Sequence, residues 1–173
     1  LVERARDAAD ELSGDVRDLG ALGTAPSAQV HAASALAQQA AAGVAAPAGV
    51  SVTVDAAGEP LWVRGHAGLL RRAIRNLVLN AVQALGGSGS VEVQVRAAAD
   101  IIRITVSDDG PGIPPEHVPS LFWRPLSTRP GGSGLGLLFV RAVVESAHGG
   151  SVSYRPRAPR GAIFAIELPR IAG

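Results

Sequence analysis

The chain has 173 residues, of which 47% are hydrophobic and only 3% aromatic, so its core must be built mainly from Leu, Val, Ile and Ala. It contains no cysteine, which excludes disulfides and thiolate metal sites, and its net charge of +1 offers no electrostatic case for binding nucleic acid or anionic membranes. No apolar run reaches the roughly 18 residues that a membrane span needs. Because the chain begins with Leu1 instead of Met, we expect it to be part of a longer protein.

The first third of the chain predicts two helices and two short strands. Apolar residues recur at helical spacing over residues 1–22. A second helix is predicted from after Ser27, a good N-cap residue, to about Ala42. Alternating valines over residues 50–54 predict a half-buried strand, and residues 61–64 predict another strand across a turn.

The remainder of the chain alternates between helices and strands. Residues 66–85 predict the strongest helix, because their leucines, isoleucine and valine form one apolar stripe with arginines away from it. The other predicted elements are strands over 90–97 and 101–107, a short helix over 116–122, a helix over 134–147, and strands over 151–155 and 162–168. Hairpin-like strand pairs recur, which favours an α+β sandwich with a mixed sheet over a doubly wound parallel sheet.

The run Asp108-Asp109-Gly110-Pro111-Gly112 follows a predicted strand directly. A carboxylate at a strand end can accept a hydrogen bond from an exocyclic amine such as that of adenine. Glycines after it let the backbone pass close to a flat ring. When these residues are considered alone, an ordinary tight turn is the favoured interpretation.

A second glycine-rich run, from Gly131 to Leu137, lies immediately before a predicted helix. Backbone N–H groups exposed at a helix N-terminus favour phosphate. The run lacks the Gly-Lys-Ser/Thr ending of a Walker A loop, and no strand precedes it as a Rossmann fingerprint requires. A flexible loop before an ordinary helix is the alternative interpretation.

Two amides, Asn76 and Asn80, lie one helical turn apart on the strongest predicted helix. Asn is a poor helix former, so two of them in a helix interior need a reason. Mg²⁺ accepts neutral amide oxygens together with phosphates and water. A structural pair of hydrogen-bonding amides is the alternative.

Taken together and in this order, the three runs resemble the N box and the two glycine boxes of the GHKL ATPase superfamily. The closest similarity is to the catalytic ATP-binding domain of two-component sensor histidine kinases. Residues 121–130 resemble the F box of these kinases, and Ala147-His148-Gly149-Gly150-Ser151 and the ending over 164–169 are also similar. The resemblance covers about residues 27–170. It implies a Bergerat-type two-layer sandwich, with a mainly antiparallel sheet of about five strands packed on three helices.

The resemblance also implies a role for each matching residue. Asn80 would coordinate Mg²⁺, Asn76 would support it or contact phosphate, and Asp108 would bind the adenine amine. Phe122 would anchor the lid, the segment between the two glycine boxes, and Arg129 would reach a phosphate. The complete set implied to bind ATP is Asn76, Asn80, Asp108, Gly110, Gly112, Ile113, Arg129, Gly132, Ser133, Gly134, Leu135, Gly136 and Leu137.

Several positions depart from the family pattern. Trp123-Arg124-Pro125-Leu126 stands where acidic and aromatic residues are common, so the F box is eroded, and the lid is short. His66 occupies a position where Asp is usual, and Gln83 one where a basic residue is common. His31 lacks the acidic residue that follows a phosphoacceptor histidine closely. His148 is predicted at a helix C-terminus, where a cationic ring is favoured.

The function that the resemblance implies is binding of ATP with Mg²⁺ and donation of a phosphoryl group to a histidine on a separate dimerisation domain. Residues 1–24 would be a helical arm, the end of a dimerisation helix, and residues 25–173 the ATP-binding domain. The implied partners are that phosphoacceptor domain in a homodimer and, indirectly, a response regulator, with no nucleic acid. The implied location is cytoplasmic, in a parent protein that a membrane segment could anchor. A non-catalytic interaction module and an anti-sigma-type serine kinase remain alternatives.

Overall fold

The computed structural model describes residues 28–56, 58, 60–126 and 133–171. The predicted arm over residues 1–24 lies outside the described residues, as do Arg129 and Gly132. In chain order the described elements are β1 (Gln29–Ala32), α1 (Ala33–Ala42), β2 (Gly49–Asp55), β3 (Trp62–Gly65), α2 (Ala67–Ala84), β4 (Ser88–Ala98), β5 (Ile101–Asp108), a 3₁₀ helix (Pro115–Ser120), α3 (Gly136–Arg141), a π-helical continuation of α3 (Ala142–Ala147), β6 (Ser151–Pro156) and β7 (Ala162–Pro169).

Five strands form one mixed sheet in the order β2-β4-β5-β7-β6. The β2–β4 pair is parallel, and the other three pairs are antiparallel. Three helices pack on this sheet, so the predicted α+β architecture, with about five mainly antiparallel strands on three helices, is confirmed.

The core lies between one face of the sheet and the helices. Side chains alternate along the strands, so valines and isoleucines of β4, β5 and β7 point inward while their polar neighbours point outward. The inward stripe of α2 contains Leu70, Ile74 and Leu77, each 1% exposed. On the outer face Arg103 of β5 pairs with Glu167 of β7. The apolar stripes therefore determine which face of each element is buried.

The start of the domain differs from the sequence-based expectation. The helix predicted from after Ser27 begins only at Ala33, because Gln29–Ala32 forms a strand. This strand, β1, pairs antiparallel with β3, so the backbone groups of residues 29–32 bond across the ribbon instead of along a helix. Tertiary pairing thus overrides the local helical pattern. None of the described helices is long and apolar enough to cross a membrane.

Candidate functional site

Asp108 is the last residue of the central strand β5, and only 2% of its surface is exposed. The backbone N–H of Gly110 donates to Asp108 Oδ1 at 2.9 Å, and the N–H of Ala162 also donates to this carboxylate. Burial raises the pKa of Asp108 above its ordinary 3.8, although these backbone donors oppose the shift. A carboxylate has about four acceptor positions, so this one retains capacity for a further donor. The geometry suits acceptance of a hydrogen bond from a ligand amine.

Asp109 has a different role from its neighbour. Its two carboxylate oxygens accept hydrogen bonds from the backbone N–H and the hydroxyl of Ser90, both at 2.8 Å. The Asp109 N–H in turn donates to the Ser90 carbonyl at 3.3 Å. These donors lower the pKa of Asp109 below its ordinary value. Asp109 therefore ties the end of β5 to β4, and it leaves Asp108 as the carboxylate available to a ligand.

The first glycine loop is packed too closely for side chains. A Cβ on Gly110 would lie 2.9 Å from Asp108 Oδ1, and Gly112 has a φ of +78°. Gly161, in the β6–β7 turn, has a φ of +118°, and a Cβ there would lie 2.0 Å from the Asp108 carbonyl oxygen. Sequence reasoning missed Gly161, because it resembles any turn glycine. Gly161 packs directly against the backbone of Asp108, and this contact depends on the tertiary structure.

Three amide side chains share one face of α2. Asn76 is buried, with 7% exposed, Asn80 is half-buried, and Gln83 follows at the next turn. Among the described residues neither asparagine side chain has a hydrogen-bond partner, and the Gln83 Oε1 is buried without a donor. A buried polar group left unpaired costs about 1–3 kcal/mol. Such a stripe of amides is expected to be satisfied by a ligand.

The second glycine loop reaches this amide face. Gly134 has a φ of +70°, and its carbonyl accepts the N–H of Leu126 at 3.2 Å. Leu135 N–H donates to Ser133 Oγ at 3.3 Å. Gly136 is the first residue of α3, and a Cβ on it would lie 3.8 Å from Asn76 Nδ2. The helix after the second glycine loop therefore begins against the middle of α2.

The predicted motifs thus converge on α2. The first glycine loop contacts the end of this helix, where a Cβ on Gly110 would lie 3.6 Å from Leu85 Cδ2. The second loop contacts Asn76. Ile113 is partly buried against the core, and Leu137 is buried. The predicted site residues within the described part of the chain lie in β5, in α2, in the two glycine loops or in the first turn of α3.

The eroded F box still has a structural anchor. Phe122 meets Phe164 of β7 edge to face, with ring centroids 6.2 Å apart. Trp123 is 66% exposed, and the Arg141 guanidinium lies 3.3 Å from the centroid of its ring. Arg141 also pairs with Glu145 at 2.8 Å. The segment before the second glycine loop is therefore attached to both β7 and α3.

Comparison with known proteins agrees with this geometry. A family model described as "Histidine kinase-, DNA gyrase B-, and HSP90-like ATPase" matches residues 65–172. Sensor histidine kinase ZraS of Salmonella typhimurium is 38% identical over 104 residues, which are 60% of this chain and 22% of ZraS. The chain spans less than a third of the length of the curated relatives it matches.

Solved structures show the same fold. The structure of full-length ShkA in complex with AMPPNP has a TM-score of 0.74 and 25% identity, covering 94% of this chain and 36% of that one. The mycobacterial sensor histidine kinase MprB has a TM-score of 0.71 and 25% identity, covering 84% and 99%. Because the family model covers more than half of the sequence, the chain belongs to the histidine kinase-, DNA gyrase B- and HSP90-like ATPase family.

Proposed function

We propose that this chain is the ATP-binding catalytic part of a sensor histidine kinase, which holds Mg·ATP and donates its γ-phosphoryl group to a histidine on a separate domain. The observation that carries the proposal is that three features meet at one helix, α2. They are the buried carboxylate of Asp108, the amide side chains of α2 that lack hydrogen-bond partners among the described residues, and the start of α3 at Gly136. The family membership supports ATP as the ligand. The names of relatives such as ZraS support the kinase activity.

Recognition of the base is assigned to Asp108. Its carboxylate would accept a hydrogen bond from the adenine amine, with Gly110, Gly112 and Ile113 lining the ring. Guanine carries a carbonyl oxygen at the corresponding position, so two acceptors would face each other. A buried site discriminates strongly against a partner that leaves polar groups unpaired. We therefore expect adenine nucleotides to be preferred over guanine nucleotides.

Recognition of the phosphates and of Mg²⁺ is assigned to the amide stripe and the second glycine loop. The described residues contain no group of three or more His, Asp or Glu side chains suited to hold a metal. Mg²⁺ would therefore depend on the Asn80 amide oxygen, phosphate oxygens and water, an oxygen set that this ion accepts. Asn76 would support that contact. The phosphate contacts would come from Arg129 and from the loop residues Gly132, Ser133, Gly134, Leu135, Gly136 and Leu137.

Catalysis in this arrangement consists of positioning. Bound Mg²⁺ would supply charge neutralisation, and the backbone N–H groups of the second glycine loop would orient the phosphates. The acceptor histidine would lie in a dimerisation domain, with residues 1–24 as the end of one of its helices and residues 25–173 as the ATP-binding domain. A homodimer that passes the phosphoryl group to a response regulator would complete the system.

The decisive experiment is calorimetric titration of the chain with ATP and Mg²⁺, comparing wild type with Asn80→Ala. Loss of a contact to a charged group is expected to weaken Mg·ATP binding by about 100-fold. Gln94→Ala is a matched amide control, because Gln94 lies on the outer sheet face beside Glu92. Normal affinity in a folded Asn80→Ala variant would refute the metal assignment. No heat with the wild type would favour a non-catalytic interaction module.

Gln83 predicts a gain of affinity on substitution. Replacing it with Lys removes a buried, unpaired Oε1 and places a cation one turn beyond Asn80. We expect Gln83→Lys to tighten ATP binding about threefold to tenfold at low salt, with the gain shrinking as ionic strength rises. Gln94→Lys adds the same charge on the outer face and should not change affinity. Equal effects of the two variants would show that only net charge matters.

A further inference from the structure

His148 follows the π-helical continuation of α3 and links two segments, because each of its ring nitrogens takes part in a hydrogen bond. Its Nδ1 donates to the Val143 carbonyl at 2.6 Å, because a carbonyl can only accept. Its Nε2 accepts the backbone N–H of His66 at 3.0 Å, because a backbone N–H can only donate. Together these bonds require the neutral ring with the proton on Nδ1. The cationic His148 expected from its position at a helix end is therefore wrong.

The surroundings of His148 leave the ring little freedom. A Cβ on Gly65 would lie 2.3 Å from His148 Cδ2, so only glycine fits there. Burial lowers the pKa of His148 below its ordinary 6.5, the Val143 carbonyl opposes this, and His66 lowers the pKa further. The two histidine rings meet edge to face, with centroids 5.8 Å apart.

Among the described residues, His31 on β1 and Glu145 on the π-helical segment are two further titratable groups near this junction. The Nε2 of His31, on β1, contacts the Gly65 carbonyl at 3.2 Å, a contact in which the imidazole N–H donates and which protonation preserves. Glu145 is paired with Arg141 on its own helix. Of the bonds at the junction, the one from His66 N–H to His148 is therefore the one that protonation would break.

The link joins the two segments that carry the candidate ligand site. His66 is the N-cap residue of α2, the helix that carries the amide stripe. His148 ends the helical segment whose first residue, Gly136, lies against Asn76. The two segments are therefore joined at two points, one at the amide stripe and one at the histidines.

We propose that His148 is a positioning residue for nucleotide binding, whose neutral ring holds the helix after the second glycine loop against α2 and whose protonation releases it. This inference rests on the proposed function. Because the folded-state pKa lies below the ordinary value, the link is intact above about pH 6.5 and is lost as pH falls through the folded pKa. Nucleotide affinity then falls with it.

The first test is NMR of the chain without nucleotide. We expect the ¹⁵N shifts of His148 to show a proton on Nδ1 at neutral pH, a midpoint below the ordinary histidine pKa, and the same midpoint in the His66 amide shift. An imidazole that ionises at or above its ordinary pKa, or a His66 amide that does not follow it, would overturn the proposal. This arm does not depend on any ligand.

The second test measures Mg·ADP affinity from about pH 7.5 to about pH 5 for wild type, His148→Gln, His148→Phe and the control His117→Gln. Gln supplies a non-titrating acceptor for the His66 N–H, whereas Phe keeps an aromatic ring and leaves that N–H unpaired. Wild type and the His117 variant should lose about fivefold more affinity over this range than His148→Gln. His148→Phe should bind about fivefold more weakly than His148→Gln at neutral pH.

Protonation of the ADP phosphates affects binding to all four proteins equally, so it cancels when their pH profiles are compared. Parallel pH profiles, or equal binding by the Gln and Phe variants, would overturn the positioning role. If the wild type fails to bind Mg·ADP at neutral pH while the NMR titration behaves as expected, the proposed function has failed and the link between the helices stands as a structural feature only.

Discussion

Replacing Asp108 with Asn is expected to weaken ATP binding by at least about 100-fold without destabilising the empty domain at neutral pH. In the wild type the Gly110 N–H donates to Asp108 Oδ1, and the side-chain oxygen of Asn can accept the same hydrogen bond in the variant. The new NH₂ group, however, would face the adenine amine with a second donor. Calorimetry for binding and urea denaturation for stability measure the two effects separately.

The stability part of this prediction has a definite sign with pH. Burial raises the folded-state pKa of Asp108, so its ionised form is disfavoured in the folded protein. The favourable contribution of the Asp108 carboxyl to the free energy of unfolding is fully present below about pH 3.8. This contribution is lost as pH rises through the folded-state pKa. The introduced Asn side chain does not ionise, so the Asp108→Asn variant does not lose this contribution. Its free energy of unfolding should therefore increase relative to that of the wild type as pH rises toward neutrality.

Asp109→Asn is the matched control for Asp108→Asn. The Ser90 donors lower the folded-state pKa of Asp109. The contribution of the Asp109 carboxylate to the free energy of unfolding is therefore present above the ordinary pKa, and it is lost as pH falls through the lowered pKa. The control should therefore lose stability at neutral pH while keeping most of its ATP affinity. If Asp108→Asn instead lost stability and Asp109→Asn lost binding, the roles of the two carboxylates would have to be exchanged.

Replacing Gly161 with Ala is expected to reduce both stability and ATP binding. The residue has a φ of +118°, and its new Cβ would lie 2.0 Å from the Asp108 carbonyl oxygen, where backbone must move. Unfavourable φ and steric overlap together should cost about 2–4 kcal/mol in the free energy of unfolding. The shift of β7 against β5 would displace the Ala162 N–H that donates to the Asp108 carboxylate.

Gly58→Ala provides a close control for Gly161→Ala. Gly58 has a φ of +116°, nearly the same as Gly161, but among the described residues no atom lies within 4 Å of a Cβ built on it. The control therefore carries the conformational cost without the steric overlap, and it should keep its ATP affinity. Urea denaturation and calorimetry of both variants separate these terms. Equal losses of stability would mean that packing under Asp108 contributes nothing measurable.

Local patterns predicted most of the elements, because each depends on periodicity that a strand or helix imposes on its own residues. The stripe of α2 predicted a helix over 66–85, and the structure has Ala67–Ala84. The strand predicted over 101–107 is Ile101–Asp108. The order of the Asn pair and the two glycine runs predicted the superfamily, and the family match confirms it. The roles of the individual site residues and the division at residue 24 stay predictions.

The sequence by itself therefore determined most of the elements, their buried faces and the family, since these follow from spacing along the chain. Only the tertiary structure decided which residues meet. It showed that Gln29–Ala32 is a strand, because its residues pair with residues of β3 that lie 30 to 36 positions further along the chain. Gly161 beneath Asp108, and a neutral His148 bonded to His66, likewise depend on contacts between distant segments. Asp108 was predicted to bind the base because it lies at a strand end. That Asp109 has a different role became evident only in the tertiary structure, where the backbone N–H and hydroxyl of Ser90 donate to its carboxylate.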